Sequence, residues 1–136
     1  MTQKYFARKI KTPYGTFDSK KEYERYLHLK FQADRGIITN LQLQPQFEII
    51  PKLTRKVKVQ LKTKIKEVER TEELAAHYTA DFAYINHNGQ IVIEEVKSKG
   101  TILARDYPLR RKLIKQLLAK WNEESGKELY VFNEII

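Results

Sequence analysis

The chain has 136 residues, 41% of them hydrophobic, with 26 Lys and Arg against 17 Asp and Glu and no cysteine. That length supports one modest core and argues against a second independently folded domain, so residues 1–136 are expected to form a single domain. The absence of cysteine excludes disulfides and thiolate metal sites, and the formal charge of +9 points to a polyanionic partner, nucleic acid first.

The opening MTQKYFARKIK has no apolar stretch of signal-peptide type, and no run of about 18 apolar residues follows anywhere. A cytoplasmic protein with no membrane span is expected. Residues 1–17 read as a basic arm or a short strand leading into a helix, with Tyr5 and Phe6 among cations and a turn at Pro13-Tyr14-Gly15. In FDSKKEYERYLHLKFQADRG, Ser19 and Glu22 have capping-box spacing and Phe17 is placed as a staple. Tyr23, Tyr26, Leu27, Lys30 and Phe31 follow at helical spacing, and Gly36 is the stop.

The segment IITNLQLQPQFEII alternates around Pro45, which predicts one strand bent or broken there, or an edge strand. Residues 54–66, TRKVKVQLKTKIK, alternate strictly. They predict a half-buried strand with Val57, Val59, Leu61 and Ile65 on one face and Lys56, Lys58, Lys62, Lys64 and Lys66 on the other. Those lysines either guard an edge or contact DNA. EVERTEELAAHY reads as an acidic connector with a short helical turn, so 54–76 form an insertion in the core.

Two apolar segments follow, YTADFAYI and QIVIEEVK, around Asn88-Gly89. They predict a hairpin, and its register decides its chemistry. A two-residue Asn88-Gly89 loop sets Asp81 opposite Val96, on the side of Glu94. A three-residue loop over His87–Gly89 with a left-handed glycine sets it opposite Glu95. Glu94 is expected at the surface or a sheet edge. RDYPLRRKLIKQLLAKWNEESGKE predicts an amphipathic helix from about Pro108 with Leu109, Leu113, Leu117 and Trp121 or their neighbours inward, and LYVFNEII a last strand. The order helix, strands, hairpin, helix, strand predicts an α/β fold with a mixed central sheet flanked by helices.

Asp81, Glu95 and Lys97 are the residues with chemistry to offer. Two carboxylates suit a hard cation such as Mg2+, with Mn2+ able to substitute, and a cation beside a phosphodiester activates water and neutralises charge. The Val96 carbonyl and Glu22, from the first turn of the first helix, are candidate additional ligands. Lys97 shares the face of Glu95 and is placed to orient the water or to stabilise a charged transition state. An Asp81–Lys97 ion pair without catalysis is the structural alternative. Lys99, Arg105, Arg110, Arg111 and Lys112 would extend a basic path from such a site along nucleic acid.

Ser19-x-x-Glu22, Ala80-Asp81 and Glu95-x-Lys97 resemble the PD-(D/E)xK nuclease superfamily. The phrases TFDSKKEYERYLHLK, LQLQPQFEIIPK, YTADFAYI, VIEEVKS and LRRKLIKQL, in that order, resemble its small phage-encoded members. Alanine stands before Asp81 where the superfamily pattern has proline. The resemblance implies a restriction-endonuclease-like core and a metal-dependent endonuclease acting on branched DNA intermediates in the host cytoplasm, as a homodimeric resolvase or a nickase. A non-catalytic nucleic-acid-binding protein retaining that fold is the alternative.

Overall fold

A computed structural model describes residues 9–103 and 105–136. In chain order the elements are β1 (Ile10–Thr12), β2 (Gly15–Phe17), α1 (Lys20–Asp34), β3 (Thr39–Leu43), β4 (Gln46–Ile50), β5 (Leu53–Gln60), β6 (Ile65–Glu73), β7 (Ala76–Thr79), β8 (Phe82–Ile85), β9 (Ile91–Val96), α2 (Tyr107–Ser125) and β10 (Tyr130–Ile135). They form two compact units, 46–79 and the remainder of the chain on either side of it. The segment expected as an insertion at 54–76 lies within the smaller one.

In the larger unit, residues 10–17 of the expected arm form a tight antiparallel hairpin, and Tyr5 and Phe6 fall outside the described residues. Ser19 caps α1, its Oγ accepting from the Glu22 N–H at 3.1 Å, while the Glu22 carboxylate accepts from Asp18 N–H at 3.3 Å rather than from Ser19. The capping box is thus shifted by one residue, and Phe17 packs against Tyr23 across it. At the far end Gly36, at φ 74°, lets the Gly36 and Ile37 N–H groups close back on the Ala33 and Gln32 carbonyls. Of the residues at helical spacing, Tyr23 and Tyr26 pack against the core beside the buried Leu29, whereas Leu27 and Phe31 are exposed.

The central sheet has the order β10-β9-β8-β3, parallel between β10 and β9 and antiparallel elsewhere. A parallel pair requires a crossover, and α2 supplies it between β9 and β10. Phe82, Tyr84 and Val92 pack on one face with Phe17, Leu29 and Ile38, and Arg25 of α1 reaches Glu94 on that face. On the other face Tyr107 of α2 donates to Glu134, whose register partner is Glu95. One helix therefore lies on each side of a mixed sheet, as predicted. Leu109 is exposed, Leu113, Leu117 and Trp121 are half-buried, and the neighbours Ile114 and Leu118, with Tyr107, are the buried residues of α2. Among the described residues no helix is long and apolar enough to cross a membrane.

In the smaller unit β4 pairs with β7 and β5 with β6, both antiparallel. Pro45 does break the strand, after Gln44 at φ 51°. The single strand expected over 54–66 is corrected: it ends at Gln60, turns through residues 61–64 and returns as β6, so the acidic connector is a strand and not a helical turn. Leu61 and Ile65, expected half-buried, are exposed.

Candidate active site

The hairpin β8–β9 takes the three-residue loop. Asn86 Oδ1 accepts from the Asn88 and Gln90 N–H groups at 3.0 and 2.9 Å, and Gly89 sits at φ 81°, a conformation glycine adopts without strain. Phe82 consequently pairs with Glu94, and Asp81 stands one residue before the ladder begins, lining the same pocket as Glu95. The Asp81 N–H donates to the Glu94 carbonyl at 3.1 Å, and its Oδ2 accepts from Val96 N–H at 2.7 Å. Asp81 has the backbone as its hydrogen-bond partner here, not the lysine that a structural ion pair would need.

Glu22, Asp81, Glu95, Val96 and Lys97 all line one pocket of about 260 Å³. The capped first turn of α1 brings Glu22, the end of β9 brings Glu95 and Val96, and Lys97 follows, its N–H held by the Ile135 carbonyl at 2.8 Å. Lys21 ties these elements together by donating to the Lys97 carbonyl at 3.0 Å. The Lys97 ammonium lies 4.6 Å from the centre of the Tyr107 ring, which limits where it can swing. A strand residue directs its N–H and C=O to the same edge, so the Val96 carbonyl points to the Asp81 side. Asp18 and Lys21 also line the pocket and were not anticipated. For Lys21 the available signal was its place beside Glu22 in the first turn, and for Asp18 its place next to the cap.

Burial pushes the Glu22 carboxyl up to about 7, with the Asp81 and Asp18 charges adding to the rise and Lys97 opposing it. A carboxyl raised this way binds more protons folded than unfolded between its ordinary value of 4.5 and about 7. The stability that Glu22 contributes therefore falls as pH rises through that window. Glu22→Gln is expected to flatten this slope, and denaturant unfolding at pH 5 and pH 8 measures it. A slope unchanged in the variant would mean that Glu22 is not its source.

Negative charge crowded into one pocket, with hard oxygen donors, has the chemistry of a divalent-cation site. Glu22, Asp81, Glu95 and the Val96 carbonyl are the groups that would hold the ion. Among the described residues no three acidic or imidazole side chains are already gathered as a cation cage, so binding would require side-chain rotation.

Glu94 is not at the surface or an edge. It is fully buried on a central strand. Arg25 grips it in bidentate fashion at 2.8 and 2.6 Å, and Tyr84 and Asn133 donate to it at 2.5 and 3.2 Å. Burial and the Glu94 bond together push the Tyr84 hydroxyl well above the usual tyrosine range. This network anchors α1 to β9, one turn from Glu22 and one residue from Glu95. No local sequence signal pointed to it, because Arg25 and Glu94 are 69 residues apart.

The basic residues expected near the site divide. Arg110 pairs with Asp106 at 3.1 Å and Arg111 with Glu134 at 3.7 Å, while Lys99, Arg105 and Lys112 are exposed. Lys56, Lys58, Lys62 and Lys64 belong to the smaller unit. Its register sets Lys56 and Lys58 against Glu69 and Glu67, and places Lys62 and Lys64 in the turn.

Fold and pocket together define an α/β protein with an acidic pocket bordered by lysine. The chain belongs to a family described as "Protein of unknown function (DUF1064)", whose model matches residues 2–127. No curated protein and no solved structure matches it.

Proposed function

We propose that this protein is a magnesium-dependent DNA endonuclease with a restriction-endonuclease-like core of the PD-(D/E)xK kind. The observation carrying this reading is the single pocket lined by Glu22, Asp81, Glu95 and Lys97. A binding protein has no need for four carboxylates in a pocket bordered by lysine.

A bound Mg2+ would supply Lewis acidity and a water of lowered pKa. In the proposed chemistry Asp81 and Glu95, with the Val96 carbonyl, would hold the ion, and Val96 N–H fixes one oxygen of Asp81. Glu22, which titrates near neutral pH, exchanges a proton with water in the pocket. Lys97 stabilises the charge that develops on the phosphate oxygens. The net charge of +9 favours a polyanionic substrate, and branched phage DNA intermediates in the host cytoplasm are the proposed targets. Paired cuts would call for a homodimer, and single nicks would not.

A second reading, a nucleic-acid-binding protein that does not cut, draws support from the Asp81 carboxylate already serving Val96 N–H and from the lack of a ready-made cage. Incubating plasmid and branched DNA with the protein in Mg2+ and in EDTA separates the two. Cutting in Mg2+ alone is expected; binding without cutting under every divalent cation tried would favour the second.

A further inference from the structure

The hairpin β5–β6 has two chemically different faces, and the basic one is not the lysine face that the alternation of residues 54–66 implies. Directly paired residues in an antiparallel ladder project to the same side. The pairs Lys56↔Glu69 and Lys58↔Glu67 therefore put two cations with two carboxylates on one face. Lys56 and Glu67 approach to 3.8 Å there, and Thr54 donates to Glu69 at 2.8 Å. The opposite face carries Arg55↔Arg70, Val57↔Val68 and Val59↔Lys66. From Arg55 to Lys66 it holds three cations and no carboxylate; Glu73, opposite Leu53, lies past the register shift at the base of the hairpin.

We infer that this face, with Arg55, Lys66 and Arg70 around Val57, Val59 and Val68, is a docking surface for the phosphates of double-stranded DNA. Arg55 and Arg70 stand directly opposite one another, an arrangement that destabilises a strand pair unless an anion lies between the two charges. All three cations are exposed, and among the described residues no carboxylate pairs with any of them. The surface also has the dimensions of a duplex. Four residue steps of extended chain lead from Arg55 to Val59, the partner of Lys66, which sets the Arg55–Arg70 row and the row of Lys66 about 13 Å apart. The major groove is about 12 Å wide and admits a two-stranded ribbon, so each row meets one phosphate rim. Lys62 and Lys64 in the turn add charge beyond the second row. The inference rests on the DNA-directed part of the proposed function and not on cleavage.

The test is fluorescence polarisation of a short labelled duplex across a salt series. The triple variant Arg55→Gln, Lys66→Gln, Arg70→Gln is expected to bind about tenfold more weakly or worse at moderate salt. Its slope of log affinity against log salt should shrink by about 2 to 3, which is roughly 0.9 for each phosphate that the variant no longer neutralises. The matched variant Lys56→Gln, Lys58→Gln, which removes charge from the other face, should weaken binding by less than about twofold. Each single substitution should show a share of the triple effect, and the triple variant should melt no lower than the parent, because a like-charge pair has gone. Unchanged binding by the triple variant, an equal weakening from the opposite face, or an equal weakening on single-stranded DNA would overturn the proposal. Parent protein that binds through this face yet never cuts would sink the nuclease reading and uphold this one. Cutting by the parent together with unchanged binding by the triple variant would do the reverse.

Discussion

Asp81→Asn is expected to lower magnesium-dependent DNA cleavage by about a thousandfold or more while leaving the protein folded. Asparagine keeps an oxygen at the Oδ position, so the Val96 N–H retains its acceptor, now 2.7 Å away, and only the charge is removed. That separates the variant from Asp81→Ala, which strands a backbone donor and should cost about 1–3 kcal/mol of stability as well. Lys97→Ala should reduce cleavage on a similar scale, because Lys97 lines the pocket beside Glu95. Initial rates on plasmid DNA at saturating Mg2+ measure both, with circular dichroism confirming the fold. Cutting at parental rates by either variant would remove the pocket from the reaction.

The largest stability loss is expected at the other glutamate. Glu94→Ala should destabilise the protein by about 3–5 kcal/mol, since it breaks a buried pair and leaves Arg25 and Tyr84 without their acceptor. The Arg25 guanidinium, held to Glu94 by two short bonds and raised further above its ordinary value by them, is the more costly of the two to strand. Arg25→Ala should be comparably damaging, because a carboxylate with no exposed surface then has no cation. Equilibrium urea unfolding measures these differences. A loss under about 1 kcal/mol would show that the network adds little beyond packing.

How much of this was legible in the chain depends on distance along it. The hairpin around Asn88-Gly89 could be located from local signals, and its two possible registers could be written down. The choice between them rests on Asn86, whose side chain holds the loop closed in a way that a preference for Asn-Gly turns does not reveal. The start and stop of α1 were equally local, fixed by Ser19 and Gly36.

What could not be read depends on partners remote in sequence. Glu94 next to Glu95 gave no indication of which would be buried with a cation, because Arg25 is 69 residues away. The turn at 61–64 carries Lys-Thr-Lys and no Gly, Pro, Asn or Asp, so alternation ran straight through it. The acidic connector looked unlike a strand because glutamate has poor strand propensity, yet opposite charges across the ladder favour it once β5 lies beside it. On α2, sequence spacing allowed several stripes, and the position of Tyr107 against Glu134 selected the one with Ile114 and Leu118 inward.

The central claim is that the pocket holds a divalent cation for phosphodiester chemistry, and a crystal soaked in manganese tests it most directly. The expected result is an anomalous peak with oxygens of both Asp81 and Glu95 in its coordination sphere, at roughly the 2.0–2.2 Å typical of small hard cations. Manganese absent from the pocket at saturating concentration, or bound with Asp81 and Glu95 both outside its coordination sphere, would contradict it.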